Sequence, residues 1–335
     1  MAERVLAVTP VDARDDHQFA TWYAALRAGA AAGRHAPMVV SEGALRAQLL
    51  HQTRAVRHAF GVFDAGRCLG TAVLEHDTAH NTHLGEVDVN VPPEHRRRGV
   101  GALLLDELSM VAATAGLSTL LGEVTVVGAT SPGLEFARRY GFASVHTEHR
   151  LVLDLPLPQP RLAGLAATSD AAAHGYSLTS WSGPTPASHV AAMAQLRTGM
   201  NAEVPTGEVD ADPEVVTPQV LADREQRLRE RGYRSLVSLA TAPDGHPAGY
   251  SQILVPGDDP ANALQDDTYV LTRHRGHRIG AWLKARNLDT LQAAAPTVRH
   301  LHTWIDATNG AMYATNAAFG FRAVEVMHEM QRGGR

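Results

Sequence analysis

Residues 87–109, VDVNVPPEHRRRGVGALLLDELS, decide the fold once they are set beside residues 267–289, DTYVLTRHRGHRIGAWLKARNLD. Each stretch begins as a β-prone run, passes through a turn rich in arginine and glycine, and continues as a helix-prone run. A constant shift of 179 positions carries Val270 onto Val91, His274 onto His95, Arg275 onto Arg96 and Gly280 onto Gly101. The same shift carries Gly245 onto Gly66, Gly249 onto Gly70 and the Gly320-Phe321 pair onto Gly141-Phe142. A gapless register over so long a span indicates two whole copies of one domain rather than a short solenoid repeat.

The rest of the chain fits that duplication. Its 335 residues suffice for two domains with separate cores. In the first half, His17 to Ala31 has helical spacing at Phe19, Tyr23 and Leu26, and Ser41 is placed to cap a helix through Leu50. Asp64-Ala65-Gly66 is hairpin chemistry between two apolar runs, repeated as Pro243-Asp244-Gly245. Each half is therefore expected to be an α/β (α+β) domain with a mixed, mostly antiparallel sheet flanked by helices. The Ala-, Gly- and Pro-rich stretch after LVLDLPLP sets the expected division at 1–155, a linker over 156–175, and 176–335.

Composition narrows the function classes. Lys and Arg number 30 against 35 Asp and Glu, a balance that gives no footprint for nucleic acid. There is no apolar run long enough to suggest a membrane span, and MAERVLAVTPVDARDD lacks the pattern of a secretion signal. The single Cys68 excludes an intramolecular disulfide and points to a reducing compartment, so a cytoplasmic protein is expected. His76, Asp77, His80 and His83 cluster between two predicted strands, but their spacing matches no defined metal site, and no metal is expected.

The repeated turn has a chemical use. Where a strand hands over to a helix N-terminus, free backbone N–H groups and the helix dipole converge on one point, which suits a phosphate. Gly99 and Gly101 allow close backbone approach, and Arg96, Arg97 and Arg98 add charge and bidentate donors.

On these residues the chain resembles the GNAT superfamily of acetyl-CoA-dependent N-acetyltransferases, whose phosphate loop is written [Q/R]-x-x-G-x-[G/A]. Arg96-Arg97-Arg98-Gly99-Val100-Gly101, followed by Ala102, fits in full. Arg275-Gly276-His277-Arg278-Ile279-Gly280 departs from it in one place, where Arg278 replaces the central glycine. As a tandem chain it is similar to mycothiol synthase-like actinobacterial acetyltransferases, and Met200-Asn201-Ala202-Glu203-Val204-Pro205-Thr206-Gly207 resembles that group's loop beside the acceptor.

The resemblance implies that acetyl-CoA is the acyl donor, that both loops are candidates to bind it in a group where one half can be degenerate, without saying which half carries catalysis here, and that a small-molecule or peptide amine attacks the thioester directly. The strand tails Val89-Asn90-Val91 and Thr268-Tyr269-Val270 would border the thioester, with a β-bulge freeing an amide for its oxygen. Asp88 and its repeat equivalent Asp267 are the base candidates, with Glu86 on the strand face of Asp88; the bland alternative is an ordinary strand-end carboxylate. Many members place a tyrosine four residues before the glycine of the final Gly-Phe, whereas Ala137 and Asn316 stand there in this chain. Tyr313, one turn further back, is the acid candidate. Asn309 and Asn316 resemble positions that bind CoA, although Asn309 could equally cap a helix. Two alternatives remain open at this point: a CoA- or metabolite-sensing protein with decayed centres, and transfer of a longer acyl chain or to oxygen.

Overall fold

A computed structural model describes residues 6–52, 54–128, 131–172, 174–203 and 207–334. In chain order the first elements are β1 (Val8–Pro10), α1 (Asp16–Ala31), α2 (Glu42–Leu50), β2 (Ala55–Asp64), β3 (Arg67–Asp77), β4 (Leu84–Asn90), α3 (Val100–Thr114), β5 (Thr119–Val126), α4 (Pro132–Arg139) and β6 (Ala143–Asp154). There follow α5 (Gln159–Ala172), β7 (Ser177–Ser182), α6 (Val190–Glu203), α7 (Pro218–Glu230), β8 (Tyr233–Thr241), β9 (Pro247–Pro256), β10 (Asn262–Val270), α8 (Ile279–Ala294), β11 (His300–Asp306), α9 (Gly310–Phe319) and β12 (Arg322–Gly333).

The chain divides into two compact units. Among the described residues, unit 1 holds 6–148, 207–212 and 325–334, and unit 2 holds 149–203 and 213–324. The sheet of unit 1 runs β1-β2-β3-β4-β5-β12 and then the first part of β6. That of unit 2 runs from the later part of β6 through β11-β10-β9-β8-β7. In both sheets the hairpin strands pair antiparallel, and one parallel pair, β4 with β5 or β10 with β11, follows from the helical crossover between them.

Each sheet is covered on both faces. In unit 1, Phe19, Trp22 and Leu26 of α1 and Leu45 of α2 pack on one face with Val73, and Leu104, Leu105 and Leu108 of α3 pack on the other with Leu74, Val87 and Val89. The Trp22 indole donates to the Phe60 carbonyl at 2.8 Å, so the largest buried ring carries no orphaned N–H. Unit 2 repeats the arrangement, with Met193 and Leu196 of α6 and Leu221 of α7 against Tyr250 and Tyr269. The other face carries Leu288 and Leu291 of α8.

The 156–175 stretch, read from the sequence as a linker, contains α5. Leu162 is buried and joins Leu165 and Ala166 in the cluster formed with Leu288 and Leu291 of α8. Its apolar stripe is short and interrupted by small residues, which is why periodicity alone does not reveal it.

Candidate active site

Both repeated turns leave their strand by the same path. A single turn of 3₁₀ helix, Pro93–His95 or Thr272–His274, precedes the loop. The side chain of the loop's first arginine then folds back to the strand's last carbonyl, Arg96 Nε to Val91 O at 2.9 Å and Arg275 Nε to Val270 O at 3.0 Å. Each loop has two left-handed positions. In the first copy Arg97 has φ 62° and Gly99 has φ 81°; in the second Gly276 has φ 85° and Arg278 has φ 53°. The shift of 179 puts Arg97 on Gly276 and Gly99 on Arg278, so glycine and arginine have exchanged places on an unchanged backbone. The departure at Arg278 therefore costs strain of about 1 kcal/mol at one residue, not the loop's shape. The neighbouring His277 is exposed, its ring 5.7 Å from that of Tyr176.

The helices that follow are left open for an anion. A side-chain oxygen caps α1 (Asp15), α2 (Ser41), α4 (Ser131), α7 (Thr217) and α9 (Asn309). In contrast, Gly99 and Arg278, which start α3 and α8, supply no side-chain cap. The first-turn N–H groups of Val100, Gly101 and Ala102, and of Ile279 and Gly280, thus stand where a phosphate can meet them. Arg97 and Arg98 are exposed beside the first of these.

The strands that feed the loops part from their parallel neighbours. β4 is in register with β5 only from Leu84 to Glu86, and β10 with β11 only from Asn262 to Leu264. Beyond these points lie Val87 to Val91 and Gln265 to Val270. In β4 no bulge falls between Glu86 and Asn90, where the strand pairs regularly with β3. In β10 one falls between Gln265 and Thr268, ahead of Tyr269 and Val270, which are in register with Tyr250 and Gly249.

The two base candidates occupy different surroundings. Asp88 lies on the α1 side of the sheet and reaches solvent, accepting a hydrogen bond from Asn90 Nδ2 at 2.8 Å. Desolvation by the surrounding protein raises its pKa, and the Asn90 bond offsets part of the rise. Asp267 instead accepts from Arg197 Nη1 at 2.7 Å and from the Tyr250 hydroxyl at 2.8 Å, with Arg224 at 3.8 Å. Arg197 is 3% exposed and also bonds Gln252. Burial followed by the Asp267 charge pushes the adjacent Asp266 up to about 6. Asp267 is thus held as the anionic partner of a buried guanidinium.

The sheets also differ in charge one strand further on. In unit 1, Glu123 of β5 lies directly opposite Glu329 of β12. Desolvation, then the charges of Asp88 and Glu148, raise Glu123; desolvation, then Glu123, raise Glu329 to about 7. Glu86 adds to the same field, which His146 opposes at Glu329 and Arg34, itself paired with Glu325, opposes at Glu123. The repeat equivalents of Glu123 and Glu329 in unit 2 are His302 and Arg150, both fully buried and hydrogen-bonded to each other at 2.8 Å. One face collects carboxylates where the other has a guanidinium and an imidazole.

Of the remaining candidates, Asn309, Tyr313 and Asn316 belong to α9 and its cap, and Thr268 to β10. Tyr313 is 43% exposed and edge-on to the His149 ring at 6.4 Å. Asn309 is the cap of α9, its Oδ1 accepting from Met312 N at 3.0 Å. Asn316 is fully buried with neither side-chain atom bonded, an orphaned amide where unit 1 has Ala137. Thr268 bonds the Ser251 hydroxyl at 2.8 Å. The four histidine-region residues do not converge: Asp77 is taken by Arg54, and His80 and His83 bond the carbonyls of Asp212 and Asp210. Of the acceptor-loop resemblance, Val204, Pro205 and Thr206 lie outside the described residues, while 207–212 belong to unit 1.

Sequence reasoning missed Glu123, Glu148 and Glu329, because nothing in the repeat signals that β12 carries its acid into unit 1. It also missed Arg197, whose role appears only when α6 is packed on β10.

Among the described residues no helix is long and apolar enough to cross a membrane. Residues 27–142 match the model of the Acetyltransferase (GNAT) family. Among solved structures, a tandem GNAT protein from the clavulanic acid biosynthesis pathway is 25% identical, with a TM-score of 0.77 and 98% of each chain covered. A GCN5-related N-acetyltransferase from Sphaerobacter thermophilus is 14% identical, with a TM-score of 0.68 over 98% of this chain and 97% of that one. A putative acetyltransferase from Pyrococcus horikoshii is 12% identical, with a TM-score of 0.54 over 100% and 92%. No curated protein matches the chain. The matched segment spans the first loop and its strand, and the likeness to the tandem protein spans both units, so residues 27–142 are a GNAT acetyltransferase-type domain and the whole chain has the fold of a tandem GNAT protein.

Proposed function

We propose that this protein is an acetyl-CoA-dependent N-acetyltransferase whose reaction runs in unit 1, on a primary amine. The observation that carries this reading is the contrast between an open Asp88 among carboxylates and an Asp267 already consumed by Arg197 and Tyr250. The loop Arg96 to Gly101 and the uncapped start of α3 take the CoA pyrophosphate. An ammonium group is drawn to the field of Asp88, Glu123 and Glu329, where it is favoured over a neutral or anionic acceptor.

Asp88, with its pKa raised by desolvation, accepts the ammonium proton. The freed amine attacks the thioester carbonyl, whose oxygen is met by a main-chain N–H of the Asn90–Val91 region. The carbon–sulfur bond then breaks, and the thiolate leaves with a proton from water, since Ala137 stands where the resembled enzymes carry a tyrosine. Tyr313, in unit 2, has no part in this scheme. The likeness to a tandem GNAT protein from the clavulanic acid biosynthesis pathway supports a small-molecule amine as acceptor over a peptide lysine.

The test is release of CoA thiol from acetyl-CoA with a panel of amines. Asp88→Asn is expected to lower kcat by about 10²- to 10⁴-fold with the acetyl-CoA Kd unchanged. Full turnover by the variant removes Asp88 as the base. Tight acetyl-CoA binding without thiol release for any amine favours the sensor reading instead.

A further inference from the structure

The two loops share a backbone but not an electrostatic state. In unit 2 the last residue of α6, Glu203, reaches the second loop and accepts three hydrogen bonds there. Its donors are the Tyr269 hydroxyl at 2.8 Å, Thr272 Oγ1 at 3.2 Å and Arg275 Nη2 at 2.6 Å. These contacts, led by the Tyr269 bond, lower the Glu203 pKa, so it is a carboxylate at neutral pH. Desolvation and the Glu203 bond in turn push Tyr269 up to about 12, which keeps it a neutral donor.

The contact binds the residues that should serve an incoming phosphate. Arg275 is the repeat equivalent of Arg96, and both fold back to their strand through Nε. In unit 1 the repeat equivalent of Tyr269 is Asn90, whose amide is turned to Asp88. Glu203 therefore supplies the second loop with a negative charge of its own. A pyrophosphate arriving at the uncapped start of α8 meets an arginine already neutralised and a fixed carboxylate beside it.

We propose that Glu203 is the residue that partitions acyl-CoA between the two loops, holding the second one closed to the pyrophosphate. This rests on the reading of both loops as CoA sites. The closure is reversible: the Arg275–Glu203 pair is half exposed on both sides, and such pairs are weak enough to exchange. A competing anion displaces the carboxylate at high concentration. The asymmetry therefore sets relative affinity and does not abolish the site.

The experiment is isothermal titration of acetyl-CoA into the full chain, in wild type, Glu203→Gln, Gly99→Asp and the double variant. Glutamine keeps an acceptor for Tyr269 and Thr272 while removing the charge. The expected result is one site in wild type, lost in Gly99→Asp. In Glu203→Gln a second site appears, about tenfold tighter than any residual second binding in wild type, as expected for removing one like charge near a diphosphate at a partly exposed site. That second site persists in the double variant, which assigns it to the second loop. Inorganic pyrophosphate, titrated as a competitor, follows the same order.

Two equal sites in wild type overturn the partition while leaving the CoA reading intact. One site in both wild type and Glu203→Gln also overturns it, since the charge is then not what closes the loop. No site in wild type defeats the CoA reading itself and the partition with it. A thermal melt of each variant identifies misfolding, and Glu203→Asp, which keeps the charge, is expected to remain at one site.

Discussion

Replacing Asp267 with asparagine separates a structural carboxylate from a catalytic one. In the wild type Asp267 answers a guanidinium that is 3% exposed and a tyrosine hydroxyl that burial has pushed well above its ordinary pKa. Asparagine retains an acceptor for one of them and removes the charge. Arg197 is then left buried with the neutral Gln252 and with Asp266 nearby. Breaking a buried pair by removing one partner costs about 3–5 kcal/mol. Asp266 moderates this, because losing the Asp267 charge lowers its pKa from about 6 and lets it ionise more fully toward Arg197 and Arg224. The lower end, about 3 kcal/mol, is therefore expected, and for a domain of 150–250 residues it lowers Tm by roughly 6–12 °C. Differential scanning calorimetry reads the loss, and thiol-release turnover measured well below the transition is expected to stay within about twofold of wild type. An unchanged Tm with turnover abolished would refute the structural assignment and return Asp267 to the chemistry.

Two other substitutions follow from comparing the copies. Lys284 of α8 is 4% exposed, and desolvation lowers its pKa to about 7; its repeat equivalent is the buried Leu105. The folded state thus holds this proton less tightly than the unfolded chain, so stability rises as pH climbs from about 7 toward 10.5 and the burden is full below 7. Lys284→Leu is expected to stabilise unit 2, by about 3 kcal/mol more at pH 6 than at pH 9.5; equal gains at both pH values in denaturant titrations would contradict this. At the second loop, Arg278→Gly is expected to relieve the left-handed strain and raise stability by about 1 kcal/mol, and Gly99→Arg to lower it by a similar amount. A melt in which both changes are neutral would show that the two loops do not share their backbone.

The repeat made the architecture legible. A strand, a glycine-bearing turn and a helix at one fixed spacing can be satisfied twice only by two copies of the same domain, and the left-handed turn positions explain the glycines locally. The loop residues, the Asp64-Ala65-Gly66 hairpin and the Ser41 cap depend on contacts close in sequence, so the chain alone declares them. Helix α5 escaped because its stripe of Leu162 and Leu165 acquires meaning only against α8.

Which copy carries open carboxylates was decided by tertiary structure. Asp88 and Asp267 are equivalent positions of the repeat, and a local reading of the sequence cannot rank them. Their difference comes from partners far away in sequence: Arg197 from α6 answers Asp267, and Glu329 from the last strand faces Glu123 beside Asp88. Glu203 closes on Arg275 across a similar separation. A side chain's charge is written in the sequence, but whether that charge is solvated, paired or massed with others of its sign depends on which strands and helices the fold brings to its side.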